Sequence, residues 1–469
     1  MKRNISWGLW LISLFSAVLI TFSVTFVTSC SSSADGEIST TADVTEGKTP
    51  ESSDNGESKY YFDPDKIQEV LEKFEKESVL GLDKETITED LLKGFFERCG
   101  DDYAEYMTSD EYEDFNSSYQ GDLVGIGVTV QFDDLLNGVR VLEVTPSSPA
   151  EEAGFQPYDL LIAVNGVKPT ASLTGGALVD ALADMIRGQE GTKVSITVKR
   201  GESELVLTAT RRRIEVQSVK YQLCQYFGKK VAYIQIRSFD FPTVTQFKEA
   251  IDSAEKDRVD FIIYDLRNNG GGLLSSVTSI LTYLVEDKTL LADIVYPSRT
   301  YSVMAGEYVS NYLSEPDPTK PYLKVGSSNI LYNKAYAEHK VSIPAAVLVN
   351  QYTASAAELF TSVLRDYDLA TIVGETTYGK GCMQVTYGFK DNTALKVTVA
   401  LYNPPCGVNY DMTTDGPVGI APDHEVIFTE EENKANLYTQ PHEKDRQFVV
   451  AFNMLTDGEK LPIPVIAGE

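Results

Sequence analysis

From residue 213 onward, short apolar β-branched runs alternate with amphipathic segments, and this alternation limits the fold more than any other feature. The apolar runs span residues 231–236, 261–266 and 345–349, and the amphipathic segments span residues 244–254, 274–285 and 355–367. Runs of four to eight β-branched residues are typical of buried strands, and the longer periodic segments are typical of helices. Strands that alternate with helices predict an α/β sheet with helices packed on it, here as a core over residues 213–469.

A different pattern precedes this core. Residues 120–212 contain short alternating runs separated by turn signals such as Asn165-Gly166, with one helical segment at 178–187. This pattern predicts a compact β-rich module. Residues 60–119 instead show helical spacing, for example at Ile67, Val70 and Leu71. We therefore expect a multidomain α/β protein with a small N-terminal helical region.

Residues 287–342 interrupt the alternation of the core. The segment is polar and rich in tyrosine, and Pro316, Pro318 and Pro321 lie in its middle. We interpret residues 287–342 as an insertion over one face of the core.

The N-terminus resembles a secretory signal. Lys2 and Arg3 are followed by an apolar stretch over residues 7–27 and then by Val27-Thr28-Ser29-Cys30, which resembles a bacterial lipobox. This predicts a lipoprotein signal peptide over residues 1–29 and lipidation of Cys30, with an uncleaved transmembrane anchor as the alternative. Residues 30–59 are mostly polar, with little apolar content and no aromatic residue, which predicts a disordered tether. Either way, we expect the body of the protein outside the cytoplasm.

Composition excludes several function classes. The formal net charge of −28 argues against a nucleic-acid partner, because phosphates would be repelled. The three histidines show no metal-ligand spacing, so we expect neither a metal site nor a cofactor. Cys30 is assigned to lipid, and the other four cysteines form no C-x-x-C pair, which favours free thiols.

Ser355 is the first candidate catalytic residue. It follows the apolar run 345–349 and a turn of small residues, at the start of a predicted helix. Free N–H groups and the helix dipole would stabilise negative charge there. The alternative is structural, since serine is also a favoured N-cap residue.

Lys380 is the second candidate. It lies between Gly379 and Gly381, after another predicted strand. A lysine that is buried without a carboxylate partner loses its proton and can act as a general base toward a serine hydroxyl. The alternative is an ordinary solvated lysine.

The third candidate is the glycine cluster Gly270-Gly271-Gly272, which follows the predicted strand 261–266. Glycines let the backbone approach a ligand closely with its N–H groups free, as an oxyanion hole requires. A phosphate-binding loop is the competing interpretation, but the G-x-x-x-x-G-K-[ST] pattern is absent.

Together these motifs resemble the C-terminal processing, or tail-specific, proteases. The resemblance extends over residues 65–447 and includes Gly125-Ile126-Gly127-Val128, the run 148–166, the glycine cluster, the surroundings of Ser355 and Lys380, and residues 419–423. It implies a PDZ domain at 120–212 and a crotonase-like or ClpP-like α/β peptidase core.

The resemblance also implies roles for individual residues. Ser355 would be the nucleophile, Lys380 the base, and Gln384 the residue that orients the lysine. The amides of Gly271 and Ala356 would form the oxyanion hole. The loop of Gly125, Ile126, Gly127 and Val128 would bind the substrate's C-terminal carboxylate. Asp366 would give structural support, since eleven residues along a helix place it about 16 Å from Ser355. Glu358, Asn350 and Tyr378 are interpreted as packing or capping residues.

The implied function is a serine endopeptidase that cleaves exported proteins near free C-termini while lipid-anchored at the periplasmic or outer-membrane face of a bacterial membrane. A non-catalytic peptide-binding lipoprotein and a crotonase-type acyl hydrolase remain alternatives. Three positions depart from the family pattern: Gly270 replaces a proline, Val408 replaces an arginine after Gly407, and Tyr158 replaces a PDZ glycine.

Overall fold

The computed structural model describes residues 62–79, 82–120, 122–133, 136–170, 173–297, 299–305, 307–312, 323–325, 341–411, 419–429, 432 and 440–464. The predicted signal peptide, Cys30 and the predicted tether lie outside the described residues. The chain divides into two compact units, with the boundary between Asp102 and Tyr103. Within the described ranges, the structure contains no helix with the length and apolar character needed to cross a membrane.

The unit that ends at Asp102 contains two helices, α1 (Pro64–Glu77) and α2 (Ile87–Phe96). Asp63 precedes α1, and its side chain accepts a hydrogen bond from the backbone N–H of Lys66 at 2.9 Å, which satisfies one of the free donors at the helix start.

The unit that begins at Tyr103 opens with β1 (Glu105–Met107), α3 (Ser109–Gln120) and β2 (Asp122–Gly125). A β-rich module follows, made of β3 (Val128–Asp133), β4 (Gly138–Val144), α4 (Pro149–Ala153), β5 (Leu160–Val164), α5 (Gly175–Ile186), β6 (Lys193–Arg200) and β7 (Ser203–Thr210). Its five strands form one antiparallel sheet in the order β3-β4-β5-β6-β7. Strand β3 is therefore an edge strand. Alternate residues such as Val139, Val141, Val194 and Ile196 are fully buried beneath α5.

The remaining elements form the core. In chain order they are β8 (Arg212–Glu215), β9 (Val219–Tyr226), β10 (Lys229–Ile236), α6 (Phe241–Asp257), β11 (Phe261–Asp265), α7 (Leu274–Leu281), β12 (Leu290–Tyr296), β13 (Arg299–Met304), β14 (Glu307–Tyr312), β15 (Leu323–Val325), β16 (Ala345–Val349), α8 (Ala356–Asp366), β17 (Ala370–Gly374), β18 (Cys382–Gly388), β19 (Ala394–Asn403), β20 (His424–Glu425), a 3₁₀ turn (His442–Lys444) and α9 (Arg446–Leu455).

The first core sheet has six strands in the order β20-β17-β16-β11-β10-β9. All neighbours pair in parallel except β9, which is antiparallel to β10. Every residue of β11 and β16 is buried, because helices α6, α7 and α8 cover one face and α9 covers the other. Two-sided burial explains why these strands are continuous apolar runs rather than alternating ones.

The second core sheet is antiparallel, in the order β1-β19-β12-β13-β14-β15, with β18 also paired to β19. Strands β12 to β15 come from the segment that we interpreted as an insertion. Where it is described, this segment extends the second sheet. Residues 313–322 and 326–340 lie outside the described residues.

The parallel register brings two connections together. Strands β11 and β16 are neighbours, with Asp265 opposite Leu348, so the segments that follow them leave the same edge of the sheet. This edge is where open α/β sheets bind ligands.

A buried ion-pair network holds this edge against α9. Arg267 donates from Nε to Asp265 Oδ1 at 2.9 Å, and its Nη2 lies 2.7 Å from Asp445 Oδ2. Asp445 also caps α9 by accepting from the N–H groups of Gln447 and Phe448. One guanidinium therefore neutralises two buried carboxylates.

We predict that Arg267→Met destabilises the protein by about 3–5 kcal/mol, because it leaves two buried carboxylates without their cation. Urea unfolding followed by fluorescence would measure the change. Arg187→Met is the matched control, since Arg187 pairs with Asp184 on the surface, and it should change stability by less than about 0.5 kcal/mol. Equal effects of the two variants would contradict the interpretation of the buried network.

Candidate active site

Ser355 directly precedes α8 and has an unusual backbone conformation. Its φ of 57° and ψ of −120° lie outside the regions that L-residues normally occupy. Such strain persists only where surrounding contacts enforce it, and it is concentrated at functional sites. The Ser355 side chain is fully buried, and Oγ has no hydrogen-bond partner among the described residues. A buried hydroxyl without such a partner at a strained turn is typical of a nucleophile.

The glycine cluster packs directly on this serine. Gly271 has φ of +109°, and a Cβ added there would lie 2.7 Å from Ser355 Cβ and 2.9 Å from the backbone nitrogen of Ala356. Only glycine can bring its backbone this close at such a φ. The structure therefore brings the predicted nucleophile and the predicted oxyanion loop together.

Hydrogen bonds between the two connections fix this approach. The N–H of Ala354 donates to the carbonyl of Asn269 at 2.9 Å, and the Thr353 hydroxyl donates to the carbonyl of Leu266 at 2.9 Å. Asn350 donates from Nδ2 to Asn268 Oδ1 at 2.8 Å. Asn350, interpreted from sequence as a packing or capping residue, thus joins the two connections.

The backbone N–H groups of Ala356 and Gly271, the two predicted oxyanion donors, differ in their hydrogen bonding. Ala356 is the first residue of α8, and the first N–H groups of a helix have no intrahelical acceptor. The N–H of Gly271 instead donates to the side-chain oxygen of Asn269 at 2.8 Å. An oxyanion at Gly271 would have to share or replace that bond.

Lys380 is buried, with 5% of its surface exposed. Burial lowers the pKa of its ammonium to about 8, because a charged amine loses hydration there. Its Nζ lies 4.3 Å from the centre of the Tyr103 ring, so the ring covers one side of the amine. The amine is therefore shielded from water, as a lysine base requires.

Glu358 connects Ser355 to Lys380. One carboxylate oxygen accepts from the backbone N–H groups of both residues, each at 2.8 Å. Those two nitrogens therefore lie no more than twice that distance apart. The other oxygen accepts from the Thr377 hydroxyl at 2.6 Å and from the N–H of Gly379 at 2.7 Å. A single buried side chain thus sets the nucleophile turn against the lysine segment.

The protonation of Glu358 reflects two opposing influences. Burial raises the pKa of its carboxyl to about 7, while the four donated hydrogen bonds oppose that rise. Since all four groups are donors, the ionised carboxylate is the form that satisfies them.

Gln384 lies near this cluster without contacting the lysine through a hydrogen bond. Its Nε2 donates to Thr398 Oγ1 at 3.0 Å and approaches Cys382 Sγ at 3.3 Å. Its Oε1 is buried and has no hydrogen-bond partner among the described residues. The orienting role implied for Gln384 therefore stays a prediction, with one acceptor still available for it.

Asp366 and Tyr378 have structural contacts. Asp366 Oδ2 accepts from the N–H of Cys406 at 2.9 Å, which fixes the segment after β19 to the end of α8. Tyr378 donates its N–H to the carbonyl of Thr353 at 3.0 Å.

The predicted carboxylate-binding loop lies at the open edge of the β-rich module. Gly125 ends β2, Val128 begins β3, and Ile126 between them is buried. Gly127 has φ of +83°, and a Cβ there would lie 2.4 Å from Ser148 Cβ. The edge strand β3 packs beside α5. An edge strand beside a helix can accept an extended peptide as an additional strand.

Sequence reasoning missed two contributors to the site. Glu358 was interpreted as a capping residue; the S-x-x-E spacing from Ser355 carries that signal, but it does not reveal the contacts to residues 377–380. No pattern in the sequence around Tyr103 indicates its contact with Lys380, because the two residues are far apart in the chain.

Comparison with known proteins agrees with this geometry. Residues 230–426 match the model of peptidase family S41, and residues 124–210 match the model of the PDZ domain. The fold and the site thus define an α/β core of the peptidase type that carries a PDZ domain, which confirms the expected fold class. The core thus matches peptidase family S41 over residues 230–426.

Two relatives illustrate the similarity. A probable CtpA-like serine protease of Staphylococcus haemolyticus (strain JCSC1435) is 35% identical over 324 residues, which cover 69% of this chain and 58% of that protein. Another of the same description, from Staphylococcus aureus (strain COL), is 31% identical over 359 residues, which cover 75% of this chain and 65% of that protein. The alignments thus cover less than two thirds of either relative. Among solved structures, the photosystem II D1 C-terminal processing protease matches with 23% identity and a TM-score of 0.44, covering 77% of this chain and 86% of that chain.

We predict that Glu358→Gln lowers kcat by about 100-fold and leaves KM nearly unchanged, because a small displacement of catalytic groups costs about that much. The amide would place N–H donors against donors, so Ser355 and Lys380 would lose their common anchor. Steady-state cleavage of an unstructured protein at pH 9 would measure both parameters, with circular dichroism as the check on folding.

Glu375→Gln is the matched control for this substitution. Glu375 Oε1 accepts one hydrogen bond, from the N–H of Phe428 at 2.9 Å. A folded Glu358→Gln protein that cleaves as fast as Glu375→Gln would contradict the anchoring role.

Proposed function

We propose that this protein is a serine endopeptidase in which Ser355 is the nucleophile and Lys380 the general base. One observation carries the proposal: a single oxygen of Glu358 accepts from the backbone N–H groups of both residues. The unengaged hydroxyl of Ser355 and the burial of Lys380 support it.

The chemistry follows from these groups. The neutral Lys380 amine takes the proton of the Ser355 hydroxyl as Oγ attacks the scissile carbonyl carbon. The carbonyl oxygen becomes an oxyanion near the N–H of Ala356, where the start of α8 favours negative charge. The Lys380 ammonium then protonates the leaving amine as the C–N bond breaks. Water, deprotonated by Lys380, attacks the acyl-serine ester and releases the acid.

The PDZ domain supplies the proposed substrate selection. We infer that the loop of Gly125, Ile126, Gly127 and Val128 binds the terminal carboxylate while the preceding residues pair with β3. This would direct cleavage toward protein C-termini. Its support is the exposed pairing edge of β3 and the adjacent helix α5.

We also propose that the protein acts outside the cytoplasm, lipid-anchored through Cys30 to a bacterial membrane at its periplasmic or outer-membrane face. The support is the basic, apolar and lipobox-like order of residues 1–30.

We predict that Ser355→Ala lowers cleavage of an unstructured protein by at least about 1,000-fold, because removal of a nucleophile eliminates the covalent pathway. A serine-directed inactivator should label Ser355 in the wild type and nothing in the variant, as mapped by mass spectrometry. Retained cleavage would refute the catalytic assignment. Peptide binding without cleavage by the wild type would favour the peptide-binding lipoprotein, and hydrolysis of small acyl thioesters alone would favour the crotonase-type hydrolase.

We predict that a substrate with a free apolar C-terminus is cleaved faster than the same substrate with an amidated C-terminus, because amidation removes the negative charge that the loop amides would bind. Paired free-acid and amidated peptides would measure the difference. The control is a truncated pair too short to reach both the PDZ domain and the active site, for which the rates should agree. Equal rates for the long pair would exclude recognition of the terminal carboxylate.

A further inference from the structure

A second buried lysine lies in the same sheet region as the proposed base. Lys396 belongs to β19, and only 2% of its surface is exposed. Lysines are seldom buried so completely. Its Nζ forms an ion pair with Glu105, whose side chain is half-exposed, and lies 6.0 Å from the centre of the Phe115 ring.

Strands β18 and β19 join the segments that carry the two lysines. Gln384 lies opposite Thr398 in the pairing of β18 with β19, and their side chains share a hydrogen bond. Gln384 also approaches Cys382, which lies two residues after Lys380. Lys396 is two residues before Thr398, so both side chains lie on the same face of β19.

One short N-terminal segment covers both lysines. The ring of Tyr103 lies over Lys380 Nζ, and Glu105, two residues later, pairs with Lys396 in register through β1 and β19. Two extended residues span at most about 7 Å. Tyr103 and Glu105, which contact the amines of Lys380 and Lys396, are therefore close together in the chain and in space.

We propose that Lys396, held by Glu105, is a positioning residue for the reaction: its buried positive charge keeps Lys380 in the uncharged form that acts as base. This inference rests on the proposed function of Lys380.

The groups around Lys380 show why such a charge is needed. Glu358 of α8, Asp411 after β19, and the Cys382 thiol when ionised all favour the protonated amine, and so does the face of the Tyr103 ring. Burial and the positive charge of Lys396 act in the opposite direction. Two phenols also lie nearby: Tyr378, which is hydrogen-bonded to Tyr103, and Tyr402, whose hydroxyl donates to the carbonyl of Lys380.

The two lysines differ in their partners. Lys396 has a carboxylate in direct contact, that of Glu105. Lys380 has no ion pair among the described residues. A neighbouring cation that stays charged is a known way to lower the proton affinity of a lysine amine.

The test is the pH dependence of kcat/KM. In the wild type the rate should rise tenfold per pH unit below the pKa of Lys380 and level off above it, since only the neutral amine accepts a proton. Lys396→Gln removes the charge and can still donate to Glu105. We expect its midpoint to move up by about one pH unit, with about a tenfold loss at pH 7 and rates within about twofold on the alkaline plateau.

Lys396→Arg is the matched control, because it keeps the charge and should leave the midpoint unchanged. Lys396→Met is a second neutral variant that should reproduce the shift of Lys396→Gln. An unchanged midpoint in the neutral variants, or an equal loss at every pH, would overturn the inference.

A second readout does not depend on proteolysis. In Ser355→Ala protein, trace acetylation of Lys380 by acetic anhydride across pH, read by mass spectrometry, titrates the amine directly. The same upward shift should appear when Lys396→Gln is added. Cleavage that survives Ser355→Ala refutes the proposed function, whereas a Lys380 titration unmoved by the charge at residue 396 refutes this inference alone.

Discussion

The carboxylate of Glu358 is the interaction on which the rest of the site depends. It is buried in the first turn of α8, and it receives four hydrogen bonds from two parts of the chain: one from the nucleophile turn and three from residues 377–380. An unpaired buried carboxylate is costly, so the protein satisfies this one completely. Satisfying it fixes the strained backbone of Ser355 and the position of Lys380 together. The hydrogen bonds that satisfy the buried Glu358 carboxylate therefore also set the geometry of the proposed nucleophile and base.

The parallel sheet makes this arrangement possible. Because β11 and β16 are neighbours, the glycine cluster and the nucleophile turn leave the sheet side by side. Gly271 then approaches Ser355 too closely for any side chain, and Arg267 anchors the same connection to α9 through Asp445. The strain at Ser355 is thus supported from both sides, by Glu358 within α8 and by the backbone of the adjacent connection.

Local patterns in the sequence predicted much of this and could not predict the rest. Apolar runs identify β11 and β16 because those strands are buried on both faces, and the glycines identify a close approach. The preference of serine for the N-cap position suggested a structural role for Ser355, and no local pattern shows that the carboxylate of Glu358 contacts residues 377–380. The interpretation of residues 287–342 as an insertion over one face did not foresee that, where it is described, the segment forms β12 to β15 of the second sheet. Glu105 and Lys396 are far apart in the chain and meet only through the register of β1 on β19, which no local pattern encodes.

The two buried lysines show how environment, not residue type, assigns a role. Lys396 and Lys380 are similarly inaccessible to water, yet one contacts a carboxylate directly and the other contacts the face of an aromatic ring. The first lysine has an ion pair to offset the hydration that an ammonium group loses on burial. The second lysine lacks that compensation, so losing its proton is the less costly response to burial. Since Tyr103 and Glu105 come from the same segment, one short stretch of chain before the PDZ domain contacts both lysines.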